Sequence, residues 1–184
     1  MSANGKEKIM EYLKSNILVT DGAMGTYFAS LYDTKEPPEY CNIKDSKKIY
    51  DIHRQYIENG AKIIRTNTYA CNTFTLNYEI EDVKESIKCA CKIAREAAKG
   101  HEDIFIAGDI GPITYNHNDM QKQVSDEYVV IAKTMIESGV DAIVFETFPD
   151  MDDIKEALKY IERIQPRIVI PMHYRSHEFG CLLY

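Results

Sequence analysis

Acidic and hydroxyl-bearing side chains recur where apolar, β-prone runs of this sequence end. The residues at these positions are Asp21, Thr66, Asn67, Thr68, Asp109 and Glu146. A buried carboxylate costs free energy unless it meets a donor such as a ligand ammonium group. Hydroxyl and amide side chains both donate and accept hydrogen bonds, which suits a zwitterionic ligand. The set therefore favours binding of a small amino acid, and we assign no catalytic residue or metal ligand from the sequence.

The stretch DGAMGT, residues 21–26, places two glycines three positions apart after an apolar run. It does not match G-x-G-x-x-G and lacks the Lys-Ser/Thr pair of a P-loop, which argues against phosphate binding. One interpretation is a turn in which Gly22 and Gly25 adopt positive φ. The functional alternative makes Asp21 an acceptor in a ligand pocket, with Gly22 allowing close approach of the ligand.

The other polar residues also have structural alternatives. Glu146 lies between two phenylalanines, and an ion pair with a neighbouring strand, for example with Arg65, would explain it as well as a ligand would. For Asp109, which follows a glycine, we favour a role in forming a turn. The stretch Thr66–Thr68 could simply cap the loop after its strand.

Composition limits the classes of function. The chain has 184 residues, 45% hydrophobic and 28% charged, with a net charge of −7 and no block of Lys or Arg. An acidic protein without a basic patch is a poor partner for nucleic acid or an anionic membrane, so small-molecule chemistry is favoured. No window approaches the roughly 18 apolar residues of a membrane span, and the first residues lack the apolar core of a signal peptide. Five unevenly spaced cysteines suit a reducing compartment, so we expect a cytoplasmic protein.

Strand-like and helix-like segments alternate along the chain. The predicted strands are Ile17–Thr20 and the segments AKIIRTNTY, IFIAGDIGP, VDAIVFETF and RIVIPMH. Apolar positions three and four apart predict helices between them. We expect these helices to start at Asp45, near Glu81, at Ser125 and at Asp150.

Strict alternation of strand and helix requires parallel strands joined by crossover helices. An open doubly wound sheet and a (β/α)8 barrel both satisfy this rule. Polar residues at the ends of the strands favour the barrel, because the carboxyl ends of all barrel strands open onto one face. A complete barrel typically needs about 250 residues, whereas this chain supplies about five strands. We therefore predict an α/β fold that is a partial TIM barrel, with about five parallel strands and crossover helices.

Several motifs resemble those of the homocysteine S-methyltransferase family in a consistent order. They are DGAMGT, EYCN, IHRQYIENGAKIIRTNTYACN, AGDIGP and GVDAIVFETFPD, from about Ile17 to Ile161. The resemblance is closer to the methionine-synthase-like branch of the family than to the betaine-using branch. Several motifs in the same order are far more specific than any one of them.

The resemblance implies a barrel that binds homocysteine and a zinc ion. In this family zinc converts the thiol into a thiolate, which attacks the activated methyl group of a methyl donor to form methionine. The substrate-binding residues carried over by motif are Asp21, Gly22, Thr66, Asn67, Thr68 and Glu146. Within this set, Glu146 is expected to meet the substrate ammonium group. The identity of the methyl donor stays open.

The zinc ligands of the family are missing from this sequence. The family holds zinc by three cysteine thiolates on later strands, one in a glycine-led loop and two in a Cys-Cys pair. Cys41 and Cys71 fall in other motifs and Cys181 has no cysteine neighbour, so none is assigned as a ligand. Besides homocysteine and a methyl donor, the expected partners are further domains or chains that complete the barrel.

The tail departs from the family. The stretch IQPRIVIPMHYRSHEFG resembles the last strand of metallo-β-lactamase-fold hydrolases, in which a histidine at the position of His173 can bind a metal. We interpret His173 and His177 as surface histidines, because Pro171 disfavours a metal-binding helix. The expected organisation is a homocysteine-binding half barrel over 1–165 and a divergent tail over 166–184, the product of a truncated or rejoined gene.

Two classes of function remain open. The first is homocysteine methyl transfer with zinc, by the chain itself or as the substrate-binding half of an enzyme. The second is a non-catalytic fragment that binds an amino acid weakly. An α/β-barrel lyase or aldolase with Glu146 or Asp109 as general base is a further alternative. Schiff-base chemistry of that kind needs a lysine at a strand end, and none is evident.

Overall fold

The computed structural model describes residues 5–115, 120–148, 152–163, 168–172, 174–176 and 180–182. The helices are α1 (Gly5–Leu13), α2 (Met24–Tyr32), α3 (Cys41–Lys44), α4 (Ser46–Glu58), α5 (Thr73–Leu76), α6 (Ile80–Ala98), α7 (Gln121–Glu137) and α8 (Lys155–Arg163), and a 3-10 helix spans Pro38–Tyr40. The strands are β1 (Ile63–Arg65), β2 (Phe105–Ile110), β3 (Ala142–Glu146), β4 (Ile168–Met172), β5 (Tyr174–Ser176) and β6 (Gly180–Leu182).

Four strands form one parallel sheet in the order β1-β2-β3-β4, and β5 and β6 form a separate antiparallel pair. Ile63 pairs with Phe105, Ala107 with Ala142, and Ala142 with Ile168. The connections between neighbouring strands of the parallel sheet carry α6, α7 and α8. The predicted α/β class, with parallel strands and crossover helices, is therefore confirmed.

The first predicted strand is shorter than expected. Within Ile17–Thr20, Thr20 forms a single parallel bridge with Ile63. The Val19 carbonyl accepts a hydrogen bond from the backbone N–H of Ile63 at 3.1 Å, and the Asp21 N–H donates to the Ile63 carbonyl at 3.0 Å. These contacts place the segment beside β1, although too few residues pair for a continuous ladder.

The helices α4, α6, α7 and α8 lie near the positions that apolar periodicity predicts. Asp45 precedes α4, and a capping box at Glu79 starts α6. The helix expected from Ser125 begins instead at Gln121, so Ser125 lies inside α7 and does not cap it. Asp150, His173 and His177, to which the sequence also gave roles, lie outside the described residues. No described helix has both the length and the apolar character needed to cross a membrane.

Four helices lie in segments for which the sequence predicts none, namely α1, α2 and the short helices α3 and α5. α1 packs its buried Ile9 against the parallel sheet. α2 begins at Met24, directly after the segment beside β1, and its N-cap residue Ala23 makes no side-chain capping bond. The stretch DGAMGT therefore leads from the edge of the sheet into a helix.

Side chains of the parallel sheet alternate between its two faces. One face, which we call the inner face, carries Ile63, Phe105, Ala107, Ala142 and Val144, against which Ile9 of α1 packs. The opposite face carries Ile64, Ile106, Ile110, Ile143 and Phe145, which join the larger core formed with the helices. The same alternation assigns Arg65, Asp109 and Glu146 to the carboxyl end of the inner face. The inner face is therefore apolar toward the amino ends of its strands and charged toward their carboxyl ends.

Candidate functional site

A cavity of about 350 Å³ opens at the carboxyl ends of the strands, and we call it the strand-end pocket. All six predicted substrate-binding residues line it, namely Asp21, Gly22, Thr66, Asn67, Thr68 and Glu146. Arg65, Asp109 and Glu39 contribute further polar groups to the same wall. The volume is within the range of roughly 300–1,000 Å³ that small-molecule sites occupy. The structure thus brings the predicted residues together, while their role in binding stays a prediction.

Arg65 forms hydrogen bonds with several polar groups of the strand-end pocket. Its Nε donates to Asp21 Oδ1 at 2.8 Å and its backbone N–H donates to Asp21 Oδ2 at 2.9 Å. Its Nη2 donates to the Gly22 carbonyl at 2.9 Å, and its Nη1 donates to Glu146 Oε2. The structural alternative considered for Glu146, an ion pair with Arg65, is therefore present.

The side chains of this ion-pair network are largely buried, and burial shifts their pKa values. The exposed fractions of the side chains are 11% for Arg65, 3% for Asp21 and 16% for Glu146. Burial raises the pKa of Asp21, while the charge and hydrogen bonds of Arg65 act in the opposite direction. Burial acts to lower the pKa of Arg65, but Asp21 and the neighbouring acids outweigh it and raise that pKa. Arg65 is therefore a permanent cation inside the pocket.

Asp109 is a buried carboxyl group in the middle of this network. The expectation that it forms a turn is wrong, because it lies within β2 and pairs with Val144. Burial, and then the negative charge of Glu146, raise its pKa well above the usual value for an aspartate. No hydrogen-bond partner for Asp109 Oδ1 exists among the described residues. A protonated Asp109 can donate to the Glu146 carboxylate, so the two acids share one negative charge.

The hydroxyl groups of Thr66 and Thr68 brace the strand ends. Their Oγ1 atoms lie 2.7 Å apart, and Thr68 Oγ1 donates to the Asp109 carbonyl at 2.7 Å. The Asp109 N–H donates to Thr66 Oγ1 at 3.2 Å. Both threonines are 2% exposed. Their hydroxyls therefore hold β2 against the loop that follows β1.

Asn67 directs its side chain into a different hydrogen-bond pair. Its Nδ2 donates to Asn42 Oδ1 at 2.8 Å, and Asn42 Nδ2 donates to the Asn67 carbonyl at the same distance. Asn42 belongs to α3 and also donates to Ser86 of α6. Asn67 thus lines the pocket while its amide group joins the loop to the helix layer.

Gly22 is required for packing and not for a positive φ angle. The described glycines with positive φ are Gly60, Gly100 and Gly139, so the expected turn geometry for Gly22 and Gly25 is wrong. A Cβ atom on Gly22 would lie 2.9 Å from the Tyr56 ring, whereas a Cβ on Gly25 would meet no atom within 4 Å. The Tyr56 hydroxyl donates to the Ala23 carbonyl at 3.1 Å. Gly22 therefore lets Tyr56 support the pocket wall.

The start of α2 supplies backbone donors to the same pocket. Met24, Gly25 and Thr26, the first turn of this helix, line the cavity. The first N–H groups of a helix have no partner within the helix, and Ala23 provides no side-chain cap. The positive end of the helix dipole adds to their attraction for an anion. This corner of the pocket suits a carboxylate.

Glu39 is a pocket residue that sequence reasoning missed. It is 3% exposed, and its Oε1 accepts a hydrogen bond from the Ala70 N–H at 2.9 Å. Its Oε2 is buried and has no partner among the described residues, and burial raises the pKa of this carboxyl group. The motif EYCN begins with this acid and could have drawn attention to it. Because the motif lies in a connecting segment, however, the sequence does not indicate how close Glu39 comes to the strand ends.

The described cysteines do not fit a zinc site. Burial raises the pKa of Cys71 to about 12 and that of Cys91 to about 11, which opposes the thiolate form that zinc requires. Cys71 Sγ points to the Val83 carbonyl of α6. In the part of the chain that the structure describes, no three His, Cys, Asp or Glu side chains form a group able to hold a metal ion.

Comparison with known families gives a match over most of the chain. The sequence model of the family described as homocysteine S-methyltransferase matches residues 18–180. The methionine synthase of Mycobacterium leprae (strain TN) is 30% identical over 167 residues, which is 82% of this chain and 14% of that protein. The methionine synthase of Mycobacterium tuberculosis (strain ATCC 25618 / H37Rv) is 29% identical over 176 residues, 86% of this chain and 15% of that protein. The chain thus spans about one seventh of the length of these relatives.

A solved structure shares the fold. The homocysteine methyltransferase MmuM from Escherichia coli, in its metallated form, superposes with a TM-score of 0.80 at 16% sequence identity. The likeness covers 95% of this chain and 69% of MmuM. The predicted partial barrel is therefore confirmed as the fold of this chain.

Proposed function

Because the chain belongs to the homocysteine S-methyltransferase family, we propose that it binds homocysteine in the strand-end pocket as the substrate of a methyl transfer that forms methionine. One observation carries the proposal: the acids and backbone donors that a zwitterionic amino acid requires line one cavity within the part of the chain that matches the family. The methyl donor is not assigned, and the site of action that we propose is the cytoplasm.

The pocket offers a place for each charged end of an amino acid. The first turn of α2 presents backbone N–H groups to the ligand carboxylate. Asp21 and Glu146 present carboxylate oxygens to the ligand ammonium, since a charge-assisted hydrogen bond of this kind is stronger than a neutral one. Thr66 and Thr68 line the same pocket, and their hydroxyls hold the adjoining strand end in place.

The thiol chemistry requires a group that the described residues do not provide. The family resemblance implies zinc, but the buried, protonated thiols of Cys71 and Cys91 are poor ligands. We therefore derive no step through zinc, and we expect homocysteine binding by this chain to be independent of added zinc.

A binding role without methyl transfer is the second candidate, and it is favoured by burial of Cys71 and Cys91, which keeps their thiols protonated. An assay for methionine formation with each methyl donor separates the two candidates. The lyase or aldolase alternative receives no support, because the residues that line the strand-end pocket include no lysine.

Isothermal titration calorimetry with homocysteine, with and without zinc, tests the proposal. Glu146→Gln removes the charge that we assign to the ammonium site and would leave the ammonium beside Arg65 without a counter-charge, so we expect an affinity at least about tenfold lower. Glu137→Gln is the matched control, because Glu137 lies on the exposed side of α7 with a side chain 63% exposed. Absence of binding by the unmodified chain, or equal affinity of the unmodified chain and Glu146→Gln, would contradict the assignment.

A further inference from the structure

Arg65 lies where the proposed function places the ligand ammonium group. It donates to Asp21 and to Glu146, the two acids of the pocket that were expected to hold that ammonium. A guanidinium group and an ammonium group carry the same charge and seek the same acceptors. The described pocket therefore already contains a cation of its own.

The contacts of Arg65 are unequal on its two sides. On the side of α2, the guanidinium makes two hydrogen bonds, one to Asp21 Oδ1 and one to the Gly22 carbonyl, and the Arg65 backbone N–H holds Asp21 Oδ2. On the other side a single nitrogen, Nη1, reaches Glu146. The Asp21 side chain is 3% exposed, whereas that of Glu146 is 16% exposed. Arg65 is thus anchored at Asp21, and Glu146 is the acid that an incoming ligand can reach.

A ligand ammonium at Glu146 must compete with Arg65 for the same carboxylate. If both cations remained on Glu146, they would lie within a few ångströms of each other in a poorly solvated pocket, where like charges repel strongly. If the ammonium replaces Nη1, the guanidinium can stay on Asp21 and Gly22 through the contacts that it already makes. The second arrangement keeps each charge paired.

We propose that Arg65 sets the selectivity of the pocket for amino-bearing ligands, by acting as an internal cation from which the ligand ammonium must take over Glu146. The inference rests on the proposed function, since it concerns how the same pocket accepts homocysteine. Its consequence is that the amino group adds little to affinity while Arg65 is present. The thiol, the carbon chain and the carboxylate then supply most of the binding.

Two ligands that differ in one group test this inference. Homocysteine and 4-mercaptobutanoate share the thiol, the carbon chain and the carboxylate, but 4-mercaptobutanoate lacks the amino group. The ratio of their dissociation constants therefore reports the contribution of the ammonium, and any general change in the pocket cancels in it. We expect calorimetry of the unmodified chain at pH 8 to give a preference for homocysteine of no more than about threefold.

Removal of the internal cation should raise this preference. For Arg65→Met we expect the ratio to rise at least about tenfold, because one competing charge-assisted hydrogen bond is removed from Glu146. Arg54→Met is the matched control, since Arg54 bonds Glu58 and the Ala97 carbonyl outside the pocket, and its ratio should equal that of the unmodified chain. An unchanged or lower ratio in Arg65→Met, with both ligands still bound, overturns the inference and leaves the proposed function intact.

Arg65→Met leaves two buried acids without their cation, and this change could prevent folding. A second variant tests the inference in that case. Arg65→Lys keeps a positive charge beside Asp21 but loses the fork whose separate nitrogens reach Asp21 and Glu146 together. If circular dichroism shows that Arg65→Met is unfolded, the ratio of the two dissociation constants is measured in Arg65→Lys instead. We expect this ratio to rise about threefold, and an unchanged ratio would contradict the inference. If the unmodified chain binds neither ligand, the proposed function fails and the inference fails with it.

Discussion

The inner face of the sheet has two ends that are built from the same strands but differ in chemistry. Toward the amino ends, Ile63, Phe105 and Ala142 pack with Ile9 of α1 in an apolar cluster. Toward the carboxyl ends, the same strands carry Arg65 and two acids that hold one another by hydrogen bonds.

The difference shows how one alternation of side chains serves two purposes. Apolar side chains at the amino end gain free energy by leaving water, at roughly 25 cal/mol per Å² of buried surface. The charged groups at the carboxyl end lose the free energy of hydration, and their ion pairs and hydrogen bonds only offset that loss. They therefore add little net stability. Stability is therefore concentrated at one end of the strands and binding chemistry at the other, as is general for α/β barrels.

The largest effect should come from the amino end. Phe105→Ala removes a ring that is 6% exposed and packs edge-on against Tyr12 of α1. We expect a loss of about 3–5 kcal/mol in the free energy of unfolding, measured by urea titration. Homocysteine affinity under native conditions should change by less than about threefold, because Phe105 does not line the strand-end pocket. A large loss of affinity in a stable Phe105→Ala variant would break the comparison.

The next effect concerns His53, which lies on α4 and at neither end of the inner face. It is fully buried, its ring nitrogens have no partner among the described residues, and burial lowers its pKa to about 4. Between pH 6.5 and about 4 the unfolded chain binds a proton that the folded chain does not, so stability falls as the pH falls. The gap between 6.5 and about 4 corresponds to about 3 kcal/mol.

His53→Leu should remove that part of the acid sensitivity. Urea midpoints of both chains at pH 7 and pH 4.5 provide the measurement, and comparison of the two chains cancels the contributions of the buried acids. The same loss of stability in both chains at pH 4.5 would show that His53 is not the source of the acid sensitivity.

Substitutions of the two glycines of the motif DGAMGT should have smaller and opposite effects on stability. Gly22→Ala places a methyl group 2.9 Å from the Tyr56 ring, and we expect a loss of about 1–3 kcal/mol together with weaker homocysteine binding. Gly25→Ala meets open space within α2 and should stabilise the chain by about 0.5–1 kcal/mol. Thermal unfolding of both variants checks the pair, and a similar loss in the two would show that the Tyr56 contact is unimportant.

The smallest expected effect is a gain in stability at the carboxyl end. The raised pKa of Asp109 means that folding costs more as the pH rises above the ordinary value of 3.8, since the unfolded chain ionises there and the folded chain does not. Asp109→Asn removes this dependence and keeps a donor toward Glu146. We expect a gain of at most about 1 kcal/mol at pH 8, because a buried polar group remains. Urea titrations at pH 4 and pH 8 test this, and a variant that is less stable at pH 8 would contradict it.

The sequence was informative wherever a regular period applied. The alternation of strands and helices, and the polar residues at strand ends, predicted that Asp21, Thr66 and Glu146 would line one cavity, and they do. The period of two does not extend to Asn67, because β1 ends at Arg65 and the Thr68 N–H donates to the Thr66 carbonyl in a turn. The bond between Asn67 and Asn42 could therefore not be predicted from the sequence.

Features without a period were missed or misplaced. Glu39 follows two prolines in a connecting segment, whose path cannot be derived from spacing. The glycine before Asp109 suggests a turn, whereas pairing with β3 keeps the strand extended through Ile110. The anchoring of Arg65 at Asp21 depends on tertiary contacts that no local pattern encodes.

The position of Arg65 at the centre of the pocket also bears on the order in which the molecule folds. Its side chain bonds Asp21, 44 positions earlier, and Glu146, 81 positions later. Contacts between residues so distant along the chain close large loops and are entropically costly to form early. The pocket should therefore be completed after the transition state for folding, and Arg65→Lys should accelerate unfolding while leaving the refolding rate nearly unchanged in stopped-flow measurements. The ion-pair network therefore forms late in folding, and its main kinetic effect is to lower the unfolding rate.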